Sequence, residues 1–266
     1  MGIGGVAPRV DLVALTAGQD SGFFFLQPTV DALTYAADHG VDVVNMSFFI
    51  DPWLYNCTSN SADTPQQQAE QRTIIEGTNR ALEYAHAHGV TMVAALGNEN
   101  TDLGNPTIDH TSPDIVIPGF EPQPPDFFPT RPVDNTCHDL PSEGPHVISV
   151  SALGPSGRKA YYSNWGLEQT DVSAPGGDRR EGFDTPQFNA PENRVLSSYP
   201  KEVARAEGAI DEHGNPTTPL VVKRCDKGSC AYWEWLQGTS MASPHAAGVA
   251  ALIVSAFGVR TARTAG

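Results

Sequence analysis

A chain of 266 residues, 39% apolar and 18% charged, is long enough to bury one substantial core and too apolar to be disordered throughout. Sixteen basic residues against 31 acidic ones give a net charge of −15, which argues against nucleic acid and anionic membranes, since both require a basic face. The acidic excess is expected on a solvated surface.

GIGGVA at 2–7 satisfies G-x-G-x-x-A, but Met1 precedes it and Pro8 follows it where a dinucleotide site needs a strand and a helix. It reads as a glycine turn, and an oxidoreductase reading has little else behind it. Residues 1–8 lack the apolar core of a secretory signal. RVDLVAL at 9–15 predicts a strand, and PTVDALTYAADH at 28–39 a helix stopped by Gly40. VDVVNMSF at 41–48 predicts a buried strand. Residues 66–88 form the next helix, ended by Gly89, and VTMVAAL at 90–96 another buried strand. Further strands are expected at 146–153, 170–175 and 193–199, and a last helix from about Ser240. Strands alternating with helices, with continuous apolar strands, predict a parallel sheet covered on both faces.

Two stretches depart from this scheme, about 100–145 and 178–235, and both read as long loop insertions. No repeat and no second domain is evident, so 1–266 is taken as one domain. Cys57, Cys137, Cys225 and Cys230 allow three pairings. VVKRCDKGSCAYWEW at 221–235 reads as a hairpin turning at DKGS, with Cys225 facing Cys230 and Cys57 left for Cys137. Reduced, buried thiols are the competing reading; two bridges would imply an oxidising, extracellular setting. No CxxC, His-rich cluster or EF-hand spacing accompanies them, so no metal is assigned. AAGVAALIVSAFGV at 246–259 is short for a bilayer span, and no membrane role is assigned.

GTSMASPHAAGVAALI at 238–253 carries the strongest chemical signal. It places Ser240 at a helix start, where its N–H and the helix dipole face a developing anion. Pro244 is expected in the first turn, fixing that start within a residue or two. Ala246, Ala247 and Gly248 let the helix lie close to a strand. A capping Ser on an ordinary buried helix explains part of this string but not all of it.

That string closely resembles the serine box of the subtilisin-like serine proteases, the subtilases. VAALGNEN at 93–100 resembles their oxyanion segment, and GVDVVNMSF at 40–48 their cleft strand. GVAP at 5–8 resembles the segment after their catalytic-histidine helix, while YYSNWG at 161–166 and DVSAPGG at 171–177 follow in the family's order. The resemblance implies a three-layer α/β/α fold with a mostly parallel sheet, missing its N-terminal part. It implies a secreted, monomeric serine endopeptidase acting on polypeptides. Ser240 would be the nucleophile, with Asn98 and the Ser240 N–H holding the oxyanion. Ser47, Phe48 and Phe49 would pair with the substrate backbone, and Ser21 and Gly22 would form the opposite cleft edge. The family normally has Gly where Phe49 and Ile50 stand, so Phe49 is expected either to narrow the specificity pocket or to redirect that strand, which leaves substrate preference open. Calcium is common in the family but is not assigned to any residue of this chain.

The family's triad runs Asp, His, Ser along the chain. The resemblance therefore puts the Asp and His before residue 1 and implies that this chain alone is inactive; after the Ser helix, too, the family continues past TARTAG. His245 lies five residues beyond Ser240 and is expected to bond locally. His39, His86 and His88 suit helix ends, His110, His138 and His213 lie in loops, and His146 precedes a strand. Asp20 in DSG at 20–22 is a decoy for the triad aspartate, because Gln19 precedes it instead of an apolar strand. The alternative reading is a non-catalytic protein that keeps the cleft and binds peptides.

Overall fold

The computed structural model describes residues 3–114 and 130–258; the middle of the first insertion, the two ends and the start of the glycine turn lie outside them. Chain order begins α1 (Leu26–Asp38), β1 (Val43–Met46), β2 (Asn56–Cys57), α2 (Pro65–Ala87) and β3 (Thr91–Ala95). Short ladders follow at β4 (Ile108–Asp109), β5 (Arg131–Pro132) and β6 (Cys137–His138), then β7 (Val147–Leu153) and β8 (Val172–Pro175). The chain closes with β9 (Val195–Ser198), α3 (Lys201–Ala206), β10 (Val221–Asp226), β11 (Ser229–Leu236) and α4 (Thr239–Phe257).

Four strands pair in parallel in the order β1-β3-β7-β8. Side chains alternate across a strand, and β3 shows what that does. Met92 and Ala94 join the core beneath α1 and α2, with Leu33, Leu82 and Ala85; Val93 joins the core beneath α4, with Val150, Ala152 and Ala242. The result is the expected three-layer α/β/α arrangement. α2 starts at a capping box: Thr64 Oγ1 accepts from Gln67 N, and Gln67 Oε1 accepts from Thr64 N. α1 and α2 stop at the two glycines the sequence marks.

Four expectations need correction. Residues 9–15 form no strand, and Leu12 is 90% exposed; no described strand lies beside them, so their backbone has no ladder to join. β1 is an edge strand and is buried fully only at Met46, so 41–48 is not a buried strand. The stretch 193–199 pairs not with the parallel sheet but with the hairpin, in the antiparallel order β10-β11-β9. The two insertions are also not plain loops. The second has its own small core of Tyr199, Ala204, Ile210, Val221 and Tyr232.

The described part of the first insertion is tied down by polar groups. Arg131 is buried and meets Asp63 at 2.9 Å and Asp109 at 3.0 Å, with its guanidinium 4.7 Å from the Trp53 ring centre. Beside it, a disulfide joins Cys57 to Cys137 across the β2–β6 ladder. A second joins Cys225 to Cys230, directly opposite each other in the hairpin. Lys227 and Gly228 both have positive φ there, as a two-residue turn of the primed type requires.

Candidate active site

In a parallel sheet the carboxyl ends of the strands all open on one side, and functional groups collect there. β1 runs into Ser47, Phe48 and Phe49, and β3 runs into Leu96, Gly97 and Asn98. Gly97 has φ +95°, and a Cβ there would come within 2.4 Å of Asn164 Nδ2 and 2.7 Å of Glu99 Oε2, so only glycine fits. That turn aims Asn98 at the start of α4. Asn98 Oδ1 accepts from Thr239 N at 2.9 Å and from Thr239 Oγ1 at 3.1 Å, while Gly97 N donates to Thr239 Oγ1 at 3.1 Å. With its oxygen engaged by the helix, Asn98 leaves its Nδ2 donors for the cleft.

Ser240 is the second residue of α4, where a backbone N–H has no acceptor within the helix. Its hydroxyl donates to Ser47 O at 3.4 Å, a long bond and the only one it makes among the described residues. Pro244 lies beyond the first turn, contrary to expectation, as the sixth residue of α4. A proline there removes the N–H that Ser240 O would accept in the helix ladder. Ser47 Oγ takes its place, donating to Ser240 O at 3.2 Å, and it lies 2.8 Å from Ser243 Oγ and 3.0 Å from Asn45 Nδ2. The Ser47 side chain thus braces the helix, and Ser47 also lines the cleft.

A cleft of about 360 Å³ opens between these elements. Thr239, Ser240 and Asn98 line one part of it; Phe48, Phe49 and Gly22 line another. Phe48 stacks on Phe24 with ring centres 4.2 Å apart, and Phe49 packs towards the buried cluster of Leu54 and Leu96. Ser21, expected with Gly22 on the cleft edge, does not line the cleft; it is exposed and hydrogen-bonds to Gln19 Oε1 at 3.4 Å.

Four acidic side chains also line the cleft, Asp51, Glu99, Asp114 and Asp139, although the acidic excess is expected on the outer surface. Asp51 accepts a short hydrogen bond from Phe24 N. Glu99 is exposed by area, but its carboxylate turns inward to Asn98 N at 2.8 Å and Asn164 Nδ2 at 2.7 Å. Burial of the carboxyl raises Glu99 above the ordinary range and raises Asp139 well above it. Asp114 is pushed up to about 8, first by burial and then by its hydrogen bond and repulsion with Asp51. Asp51 and Glu99 adjoin recognisable motifs, but nothing in the sequence around Asp114 or Asp139 signals the cleft.

No histidine hydrogen-bonds to Ser240 among the described residues. His245 Nδ1 lies 2.8 Å from Met241 O, the local bond expected of it. His39 and His88 reach Tyr35 O and Tyr84 O one turn back, and His86 stacks on His146, which meets Glu83. Among the described residues no group of three or more His, Cys, Asp or Glu is arranged to hold a metal ion.

A serine hydroxyl at a helix start, an asparagine amide locked beside it and an open groove thus meet at the strand ends. The chain belongs to the subtilase family, whose profile matches residues 1–265. Subtilisin DY of Bacillus licheniformis is 25% identical over 256 residues, 96% of this chain but only 58% of that relative. The crystal structure of a lanthipeptide protease superposes with a TM-score of 0.64 at 22% identity, covering 98% of this chain and 62% of that one. An epidermin leader-peptide processing serine protease from Staphylococcus aureus gives 0.57 at 21% identity, with 94% and 49% covered.

Proposed function

We propose that this chain carries the nucleophile and oxyanion donors of a secreted serine endopeptidase. The observation that carries this reading is the pair of bonds from Thr239 to Asn98 Oδ1, which ties the amide to the residue beside Ser240. Ser240 Oγ attacks the peptide carbonyl and forms an acyl-enzyme. The developing oxyanion is held by Asn98 Nδ2 and Ser240 N–H, and the amine leaves before water completes hydrolysis. The substrate lies extended beside Ser47–Phe49 as an added strand.

The attack needs a base to take the Oγ proton, and the base belongs to polypeptide outside these 266 residues. Three features that have no partner element among the described residues support this: the edge of β1, residues 9–15 and the outer face of α4. That face exposes Val249, Leu252, Ile253 and Phe257. The two disulfides support an oxidising, extracellular setting.

Hydrolysis of an internally quenched peptide by the full-length protein tests the proposal. Ser240→Ala is expected to abolish turnover. Asn98→Ala is expected to lower it by about 10²–10³-fold, the size measured for such a donor in a subtilisin. Turnover unchanged in either variant contradicts the proposal. A second reading, peptide binding without cleavage, is favoured by the observation that no histidine hydrogen-bonds to Ser240 among the described residues. It predicts a peptide complex and no turnover in the same assay.

A further inference from the structure

We infer that Arg179 and Arg180, at the start of the second insertion, form an anion-binding site for carboxylate side chains of the polypeptide that follow the scissile bond. The inference deepens the protease reading and rests on it for the path of the substrate. β8 lies on the sheet edge opposite β1, and the chain leaves it through Gly176, Gly177 and Asp178 into the two arginines. This exit is fixed to the segment that leads into Ser240. Gly238 N donates to Gly176 O at 3.0 Å, Arg179 N donates to Gln237 Oε1 at 2.8 Å, and Gln237 Nε2 donates to Tyr161 Oη at 3.1 Å. A Cβ on Gly176 would come within 2.5 Å of Ala152 Cβ and 2.7 Å of Gly238 O, so glycine is what allows this approach.

The two guanidiniums are held in place without being neutralised. Arg180 lies 3.8 Å from the centre of the Tyr161 ring, and Arg179 lies 5.8 Å from it and donates from Nε to Tyr161 Oη at 3.1 Å. A guanidinium carries five N–H donors, and among the described residues that one hydrogen bond is the only one either group makes. No described acid forms an ion pair with Arg179, Arg180 or the neighbouring Arg194. The acids beside them in sequence are turned elsewhere. Asp178 accepts from Tyr161 N at 3.0 Å and from Arg180 N at 2.8 Å, and Glu181 accepts from Ser156 Oγ at 2.9 Å. Arg194 holds the same loop through Asn189 Oδ1 at 2.7 Å; burial, and after it the charge of Arg179, lowers it from the ordinary guanidinium range. Elsewhere this chain pairs its arginines: Arg131 with Asp63 and Asp109, Arg80 with Glu76, and Arg205 with Glu202. In a chain of net charge −15, unpaired arginines grouped at one strand end leave their counter-charge to a ligand.

The proposed path of the substrate leads to them. The half that becomes the acyl-enzyme is the half held as an added strand beside Ser47–Phe49, because it must stay bound while the amine leaves. The other half then runs from Ser240 away from β1, across the carboxyl ends of the sheet towards β8. Arg179 and Arg180 are both exposed there, with forked donors that match a carboxylate two bonds at a time.

The test uses peptides identical except for three Glu or three Gln residues after the scissile bond, and a third with the three Glu residues before it. Their binding to the full-length Ser240→Ala protein is read by fluorescence anisotropy, and their hydrolysis by the unmutated protein is read in parallel. The first peptide is expected to bind at least about tenfold more tightly than the other two. Adding Arg179→Gln and Arg180→Gln is expected to remove that preference, whereas Arg72→Gln with Arg80→Gln, which removes the same charge from α2, leaves it. If the Arg179→Gln/Arg180→Gln protein fails to fold, as judged by circular dichroism, Arg180→Gln alone gives the reading. Binding of the first peptide no tighter than the second or the third, or binding of none, overturns the inference. A preference that survives the arginine substitutions, or that is lost equally in the α2 variant, also overturns it. Hydrolysis of all three peptides without a binding preference overturns it and leaves the protease reading intact. Selective binding of the first peptide with no hydrolysis of any ends the protease reading and leaves the arginine site standing.

Discussion

Asn98 and Asp139 show how differently two site residues are written into one sequence. Asn98 stands in VAALGNEN, a contiguous string whose strand, glycine turn and amide are all local. Asp139 reaches the cleft only because the insertion folds back and the Cys57–Cys137 bridge holds it, and no local pattern announces that. The buried acids have a consequence for stability. Burial pushes Glu143 up to about 7, and burial with the Asp51 hydrogen bond pushes Asp114 up to about 8. Below about pH 4, the ordinary carboxyl range, folded and unfolded chains both keep these protons, and the stabilising contribution is complete. As pH rises the unfolded chain releases them first, so the contribution falls and is lost once the folded groups ionise near 7–8. His138, lowered by burial, works in the opposite direction, losing stability as pH falls. Comparison of variants therefore isolates the acids. Urea midpoints are expected to show Asp114→Asn gaining stability relative to the unmutated protein between pH 5 and pH 8. An equal offset at both pH values contradicts this.

Among the elements, the buried Arg131 bridges α2, the β4–β5 ladder and the backbone before Cys57. Its guanidinium meets Asp63, Asp109 and Gln71 Oε1, and it donates to Tyr55 O at 2.5 Å. Arg131→Met would leave two buried aspartates without a cation, and a loss of about 3–5 kcal/mol in urea unfolding is expected. A loss below about 1 kcal/mol would show that these acids do not depend on it. The long elements are legible because burial imposes a spacing of 3.6 on α1 and α2 and a continuous apolar run on β3 and β7, which are covered on both faces. The two-residue ladders at β2, β4, β5 and β6 are not, because so short a pairing leaves no period. Residues 9–15 mislead for another reason: alternation shows that one face is apolar, not that a neighbouring strand exists. Pro244 sits deeper in its helix than helix rules allow, because those rules do not include a serine from another strand end that takes over the orphaned carbonyl.

In the whole molecule, the catalytic groups, the open edge of β1 and the apolar outer face of α4 belong to one account. The sheet presents Ser240 and Asn98 together, and on the proposed reading the edges left uncovered among the described residues are where polypeptide carrying the base would dock. The central claim is that the Ser240 hydroxyl is the nucleophile facing Asn98. A fluorophosphonate probe applied to the full-length protein, followed by mass mapping of the adduct, tests this most directly. The account predicts a single adduct on Ser240 that Ser240→Ala removes. An adduct on another residue, or none at all, would contradict it.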